Sequence, residues 1–286
     1  GESLHRLHPD QSINPYVIHH DFILDRENMK AIALGNSVRY YRGFISKFFK
    51  FFPIKLGLGQ PISVLGTTIE EIDLKTNTHK TLWDPFDHWN PFENIDWAKT
   101  PQEAIQRKLR KPREFTLWGA EDAQIDWLHG NSIEKTKEGY LVSFRNISKL
   151  VMFSDDFKTI KWTMGNRPED TYQMIGVGHD FFHQHHASLL DNGDILLMDN
   201  HTFPPAPENL GSRAIIIRRR PTPGLAELVW HYRVGPQLKI GNRGSVYELR
   251  NKNILSFFPR SMLEKDHMIE VDRKTRRPAG HIAVYF

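Results

Sequence analysis

Two histidines separated by one residue, His183 and His185, are the most informative chemical feature of this 286-residue sequence. On a strand, residues two apart project to the same side, so the two imidazoles would point in one direction. A second stretch has the same layout, because His129 stands two residues before Asn131. Neutral imidazoles act as nucleophiles and as general acids or bases near neutral pH, so the two stretches predict a catalytic or anion-binding site.

The spacing from these residues to the next turn recurs four times along the chain. Asn131 and His185 each lie eight residues before a glycine, and two further positions lie eight before a run that leads into a strand. The four anchors are His20, Asn131, His185 and Gly244. Internal repeats of roughly 40 to 50 residues built from short strands are typical of β-propellers, in which each blade is a small antiparallel sheet. The sequence therefore predicts an all-β propeller in which equivalent inner positions meet on the central axis.

About four blades are recognisable from apolar runs that alternate with polar turns. In the first unit the outer pair of strands is predicted at 68–74 and 80–83. Later strands are predicted at 140–144, 149–153, 159–164, 195–198, 214–218, 227–232, 254–258, 267–271 and 281–286. Three of the four units carry a late tryptophan, at Trp83, Trp162 and Trp230. We assign the whole chain, residues 1–286, to a single propeller domain.

Two mainly helical insertions are predicted, at about 35–63 and about 85–122. In the first, apolar residues at helical spacing predict a short amphipathic helix with basic flanks over Phe44 to Phe52. This segment suits contact with a membrane surface, although a lid packed on the propeller or on another subunit is favoured. In the second, the run Thr100 to Glu103 resembles a capping box that starts a helix. Both insertions are candidates for shaping the entrance of a pocket.

Composition narrows the functional classes. The 39% hydrophobic content is that of a folded chain, and the net charge of +4 only mildly favours anionic ligands. Cysteine is absent, which excludes thiol nucleophiles, cysteine-ligated metals and disulfides. The sequence has no apolar run of about 18 residues and no nucleic-acid-binding motif, so we expect neither a membrane span nor a nucleic-acid partner.

The predicted repeat gathers a set of nitrogen donors near the axis. His20, Asn131 and His185 would form one ring, and His129 and His183 a second ring two residues earlier. Arg145 follows the next strand and adds a permanent cation. Imidazoles with one guanidinium suit a tetrahedral oxyanion such as sulfate or phosphate. His19 would point away from His20, and an error of one residue in the register would exchange them.

With these residues the chain resembles the aryl-sulfate sulfotransferases, bacterial enzymes that move a sulfuryl group between phenols without a nucleotide donor. The matching segments are His20–Asp21, 126–132, 143–145, Gln184, His185, Ala187, 191–197, Asp199–Asn200 and 212–214. The resemblance implies a six-bladed propeller, an exported or periplasmic location, no cofactor and no metal. It also implies a ping-pong reaction between an aryl sulfate donor and a phenolic acceptor.

In that reaction the resemblance makes His185 the nucleophile, which becomes a sulfohistidine. It makes His129 the residue that assists proton transfer, and it places His20, Asn131, Arg145 and His183 around the sulfate. Two other functions stay open: a metal-dependent hydrolase or lyase with His129, His183 and His185 as ligands, and a non-enzymatic propeller that binds partners through Phe44 to Phe52. A homo-oligomer also stays open.

Overall fold

The structure is a computed structural model that describes residues 18–41, 62–91, 124–176, 178–201, 211–220, 224–259 and 265–284. Within these ranges the fold is all-β, since the other regular elements are two single-turn 3-10 helices at Pro85–Asp87 and Pro236–Leu238. The all-β class predicted from the sequence is confirmed. The predicted helices at 44–52 and after Thr100 lie outside the described residues.

Sixteen of the described strands form four antiparallel meanders that follow one another along the chain. Meander 1 contains β1 (Ile18–Asp25), β2 (Lys30–Tyr41), β3 (Ile62–Asp73) and β4 (Thr78–Trp83). Meander 2 contains β6 (Gly130–Thr136), β7 (Gly139–Phe144), β8 (Lys149–Phe153) and β9 (Ile160–Gly165). Meander 3 contains β11 (His185–Leu189), β12 (Ile195–Asp199), β13 (Arg213–Arg219) and β14 (Leu225–Arg233). Meander 4 contains β15 (Ser245–Glu248), β16 (Ile254–Phe258), β17 (Asp266–Val271) and β18 (Pro278–Val284).

Two short strands that the sequence did not indicate join the meanders in parallel. β5 (Gln124–Asp126) pairs with β3, and β10 (Tyr172–Ile175) pairs with both β9 and β14. β10 therefore links meanders 2 and 3 into one nine-stranded sheet. The two ends of that sheet, β6 and β11, lie against each other, so the sheet is nearly closed like a barrel.

Three apolar cores lie between successive meanders, and each holds one of the late tryptophans. Trp83 is in the core between meanders 1 and 2, Trp162 in the next core and Trp230 in the last. Strands of the middle meanders serve two cores at once: on β7, Leu141 faces one core and Val142 the other. This double burial explains their continuous apolar sequences.

The outer meanders differ, because each has only one neighbouring meander; meander 1 also buries a small second cluster of Ala31, Ala33 and Ile72. The exposed large hydrophobic residues of the described chain all belong to meander 1 or meander 4: Ile18, Phe22, Leu24, Met29, Tyr247, Ile282 and Val284.

A repeated hydrogen bond between inner strands establishes that the four anchors are structurally equivalent. In each of the first three meanders, the residue after the anchor accepts a hydrogen bond from a backbone N–H of the next inner strand. The bonds run from Ile133 N to Asp21 Oδ2 (3.0 Å), Ala187 N to Ser132 Oγ (3.1 Å) and Val246 N to His186 Nδ1 (3.5 Å). The internal repeat therefore has a physical counterpart, while the number of blades in a closed ring stays a prediction.

The predicted boundaries of the first insertion were wrong. β2 and β3 pair without interruption from Lys30↔Asp73 to Tyr41↔Ile62, so residues 35–41 and 62–63 belong to the sheet. The polar residues that obscured the end of β2 have partners just after meander 1, since Arg39 donates to Asp87 Oδ1 (2.6 Å) in the 3-10 helix that follows β4. The first residues of the second insertion are also part of the fold, because Phe86 is buried in the first core.

Candidate functional site

The predicted histidines lie where the inner strands begin, on backbone of unusual conformation. His20, His129 and His183 have φ angles of 60°, 51° and 53°. Positive φ is uncommon for residues other than glycine, and it persists where the surroundings hold it in place. The pairing of β1, β6 and β11 with their neighbours is irregular at this same place. Such bulges re-aim side chains out of the regular strand alternation.

His185 is buried, 6% exposed, and both of its ring nitrogens are hydrogen-bonded. The backbone N–H of Arg243 donates to Nε2 over 3.1 Å, so Nε2 carries a lone pair. Nδ1 therefore carries the hydrogen and donates to Oδ1 of Asn200 over 2.7 Å. Burial lowers the pKa of His185 to about 3, and the charges of Arg145 and His129 act in the same direction. The ring is thus neutral at pH 7, with its lone pair on Nε2.

His129 is held differently, by a carboxylate. Its Nδ1 donates to Oδ2 of Asp126, which lies three residues earlier at the end of β5. Burial acts to raise the pKa of Asp126, but the hydrogen bond from His129 and the charges of His129 and Arg145 hold that pKa below its usual value. Asp126 is therefore ionised at neutral pH and orients His129 with its Nε2 directed away from the carboxylate.

His20 packs against His129, with ring centroids 4.8 Å apart and the rings nearly perpendicular. His19 Nε2 lies 3.1 Å from the carbonyl oxygen of Gly35, which can only accept, so this nitrogen is protonated. His19 Nδ1 then accepts from His20 Nδ1 over 2.6 Å. Burial, with the nearby charge of His129, lowers the pKa of His20 to about 4, so the ring is neutral at pH 7. Because its Nδ1 carries the hydrogen donated to His19, its lone pair is on Nε2. The prediction that His19 points away from His20 was wrong, because the two rings are hydrogen-bonded and lie 4.8 Å apart. The ring of His20 is the one that packs against His129.

Arg145 supplies the permanent charge of the cluster. Its guanidinium donates to Asn146 Oδ1 (2.7 Å) and to the carbonyl oxygen of Gly241 (3.1 Å). Its charge acts on His20 of meander 1, on Asp126 of β5 and on His185 of meander 3, so Arg145 lies near all three residues.

Asn131 lies at the start of β6, next to the chain that carries His185. Its Nδ2 donates to the carbonyl oxygen of Gln184 over 2.7 Å. Its Oδ1 is buried and accepts no hydrogen bond from the described part of the chain. A buried acceptor without a partner is costly, so this oxygen is available to a ligand that carries a donor.

The structure brings together the residues that the sequence predicted, although not all of them through their side chains. His20, His129, Arg145 and His185 form one cluster, with Asn131 at its edge. The contacts described for His183 are through its backbone, which hydrogen-bonds the ring of His185 and whose N–H donates to Ser148 Oγ over 3.2 Å.

Sequence reasoning missed three members of the site: Asp126, Asn200 and Arg243. The spacing of Asp126, three residues before His129, was a usable signal for the first. Asn200 lies in the segment Asp199–Asn200 that matches the family, but that match gave it no role. Arg243 is remote from His185 in the chain and gave no signal.

The metal-dependent alternative gains no support from the donor geometry. Among the described residues, no group of three or more His, Asp and Glu side chains is arranged to hold a metal ion. His185 in addition directs its Nδ1–H toward an amide oxygen and its lone pair toward a backbone N–H.

A separate cavity of about 490 Å³ opens further along the inner strands, toward their hairpin turns. It is lined by residues that include Asp21, Glu134, His186, Tyr247 and Lys252, and neither His129 nor His185 lines it. The ring of His186 lies against Tyr247 there, with centroids 4.4 Å apart. His185 and His186, which are adjacent on β11, therefore lie in different environments: His185 in the histidine cluster and His186 in the separate cavity.

In this all-β protein, three successive inner strands bring imidazoles, an amide and one guanidinium together in one polar site. The sequence model of the arylsulfotransferase (ASST) family matches residues 57–255. The chain belongs to this family.

The remaining comparisons add little. No functionally curated protein matches the chain. A crystal structure of a protein of unknown function from Dyadobacter fermentans DSM 18053 is similar, with a TM-score of 0.46 and 10% identity; the match covers 93% of this chain. The chain spans 64% of that protein's length.

No helix within the described ranges is long and apolar enough to cross a membrane. The exported location and the homo-oligomer stay predictions, and the contact through Phe44 to Phe52 lies outside the described residues.

Proposed function

We propose that this protein transfers the sulfuryl group of an aryl sulfate to a phenolic acceptor by a ping-pong reaction through His185. One observation carries the proposal: His185 is a buried, neutral imidazole whose Nδ1–H is bound to Asn200 and whose Nε2 has the lone pair. A neutral ring with an oriented lone pair is the form of histidine that acts as a nucleophile. Arg145 and His129 are close enough to act on it electrostatically.

In the first half-reaction, Nε2 of His185 forms a bond to sulfur as the bond between sulfur and the phenolic oxygen breaks. The electron pair of the broken bond leaves with the phenoxide, which takes a proton from His129. The sulfated ring keeps its Nδ1–H and gains a positive charge. Oδ1 of Asn200 already accepts that N–H, so the hydrogen bond strengthens as the charge develops.

In the second half-reaction, the acceptor phenol loses its proton to His129 and its oxygen attacks sulfur. The N–S bond breaks, and its electron pair returns to Nε2, which restores neutral His185. Asp126 orients His129 for both proton transfers through the hydrogen bond to Nδ1. General acid and base catalysis of this kind contributes about 10²- to 10⁴-fold to a rate.

The other polar groups divide between the two substrates according to their hydrogen-bonding character. Sulfate oxygens only accept, so the guanidinium of Arg145 suits the sulfuryl group. The lone pair on His20 Nε2 and the unpaired Oδ1 of Asn131 cannot donate to the sulfuryl oxygens, but either atom can accept the single O–H of the phenol as it binds, before that proton passes to His129. A fixed donor aimed at developing charge is worth on the order of 3 kcal/mol.

The hydrogen bond from Arg243 to Nε2 must open before sulfur can approach. Arg243 has a φ of 74°, a conformation that is strained for an arginine. Substrate binding would displace this N–H from the lone pair, after which the N–H is free to contact a sulfuryl oxygen.

Mass spectrometry of the intact protein tests the proposal directly. Wild-type protein mixed with 4-nitrophenyl sulfate should gain one sulfuryl group, and added phenol should remove it. His185→Gln should gain nothing. His186→Gln is the matched control, since His186 is adjacent in sequence but lies against Tyr247 in the separate cavity, and it should be labelled as wild type. Labelling of His185→Gln, or an unlabelled wild-type protein that still releases nitrophenol, would overturn the covalent route.

A further inference from the structure

We infer that Asn200 is the positioning residue that fixes the tautomer of His185 and at the same time anchors the loop that covers its reactive nitrogen. The inference rests on the proposed function, because it names what prepares His185 to act as a nucleophile. Its physical basis is a single amide whose oxygen binds the imidazole and whose nitrogen binds the loop. We call residues 240–243 the covering loop.

Asn200 is fully buried, and both ends of its amide have partners. Nδ2 donates to the carbonyl oxygens of Arg243 (2.9 Å) and Ile240 (3.3 Å), at the two ends of the covering loop. Carbonyl oxygens can only accept, so these two contacts define which end of the amide is nitrogen. Oδ1 consequently faces His185, and only a protonated Nδ1 can bind it.

The backbone that carries Asn200 is itself rigidly held. The preceding residue, Asp199, is buried and accepts from Arg213 Nε over 2.7 Å and from the backbone N–H of His201 over 3.0 Å. The hydroxyl of Ser212 lies within hydrogen-bonding distance of the carbonyl oxygens of both Asn200 and Ile240, 3.2 Å from each. The amide therefore cannot turn without breaking contacts on both sides.

These contacts link the state of the imidazole to the position of the covering loop. Arg243 presents its carbonyl oxygen to Asn200 and its N–H to His185 Nε2. A hydrogen on Nε2 would collide with that N–H, so the covering loop also favours the tautomer that Asn200 selects. Removing the amide releases both constraints. The ring should then shift toward the tautomer with its hydrogen on Nε2, which is the more common one in free neutral histidine.

The test compares Asn200→Leu with Asn200→Asp. Leucine has nearly the shape of asparagine but neither accepts nor donates a hydrogen bond. Aspartate keeps the acceptor for Nδ1–H but loses the two donors. Asn166→Leu is the matched control, because the amide of Asn166 is also structural, donating to the carbonyl oxygen of Phe181 over 2.7 Å, but it does not contact His185. The readouts are the ¹⁵N chemical shifts of the His185 ring and the rate of sulfuryl labelling from 4-nitrophenyl sulfate.

We expect the Nδ1–H tautomer in wild type, Asn166→Leu and Asn200→Asp, and a shift toward Nε2–H in Asn200→Leu. Labelling of Asn200→Leu should slow by at least about 10-fold, since the wrong tautomer removes the lone pair from the reacting nitrogen. In Asn200→Asp the ring should titrate at higher pH than in wild type, because a carboxylate favours the imidazolium.

Wild-type ring shifts in Asn200→Leu would overturn the inference, whatever the labelling rate. If Asn200→Leu does not fold, an unchanged titration of His185 in Asn200→Asp would overturn it instead. A wild-type protein with the Nδ1–H tautomer but no sulfuryl label would contradict the proposed function and leave the positioning role standing, so the two failures are distinguishable.

Discussion

The two walls of the site hold the same side chain in opposite ways. On the wall formed by meander 3 and the covering loop, His185 is buried and bound to a neutral amide. On the wall formed by β5 and β6, the side chain of His129 is 28% exposed and bound to a carboxylate. The partner of His185 is therefore uncharged, whereas the partner of His129 carries a negative charge. In the proposed reaction, this difference would separate the nucleophile from the residue that exchanges protons.

The largest loss of activity should come from a change to His185, on the wall formed by meander 3 and the covering loop. His185→Gln should reduce kcat/KM for 4-nitrophenyl sulfate by at least about 10³-fold, because the variant has no nitrogen lone pair to attack sulfur. Steady-state release of nitrophenol measures it. A variant that keeps a tenth of the wild-type activity would show that the two walls do not differ as described.

A change on the wall formed by β5 and β6 should cause a smaller loss of activity, and the size of the loss should depend on the leaving group. Asp126→Asn should slow the reaction of phenyl sulfate by about 10²-fold, since His129 loses the carboxylate that orients it. The reaction of 4-nitrophenyl sulfate should slow less, because nitrophenoxide leaves without a proton. Rates for a series of phenyl sulfates, plotted against the pKa of the phenol, provide the measurement.

The control for that series is Asp191→Asn, a change at a side chain that is 97% exposed and lies beside the separate cavity. It should reproduce the wild-type plot. Equal slowing of all substrates by Asp126→Asn would mean that Asp126 has only a structural role.

The burial of His185 should also make the unfolding free energy of the protein depend on pH. Burial lowers the pKa of folded His185 to about 3, from 6.5 in the unfolded chain. Below pH 6.5 the unfolded chain therefore binds a proton that the folded protein does not, and stability falls as pH decreases toward 3. This single group contributes a slope of up to about 1.4 kcal/mol per pH unit.

His185→Gln should remove that contribution. Urea unfolding between pH 4.5 and 7.5 should show a smaller loss of unfolding free energy with acid in the variant than in wild type. If the unfolding free energies of wild type and variant fall equally with acid, the folded protein tolerates the protonated form of His185. That result would contradict a neutral His185 in the proposed reaction.

The smallest effect concerns the hydrogen bonds that hold the walls in register. Ser132→Ala removes the acceptor for the N–H of Ala187 and should lower the unfolding free energy by about 1 kcal/mol. Ser256→Ala is the control, because the hydroxyl of Ser256 is buried and has no partner in the described part of the chain. Its loss should be neutral or slightly stabilising, and equal losses in thermal unfolding would contradict the register argument.

Much of the fold was predictable because its pattern is local. The strands at 149–153 and 254–258 have the predicted bounds, since apolar runs between polar turns mark them. β5 and β10 were missed because each is short and pairs in parallel with strands that are distant in the chain. The end of β2 was misassigned because its polar side chains find partners that only the folded meander supplies.

What the sequence by itself determined is the repeat, and with it the placement of His20, Asn131 and His185 at equivalent points of three inner strands. A strand period and a turn spacing are properties of neighbouring residues, so they can be read along the chain. Only the tertiary structure decided which tautomer His185 adopts and how its nitrogens are occupied. Those depend on Asn200 and Arg243, which reach the ring through the packing of other strands, and hydrogen bonds between distant segments leave no local pattern.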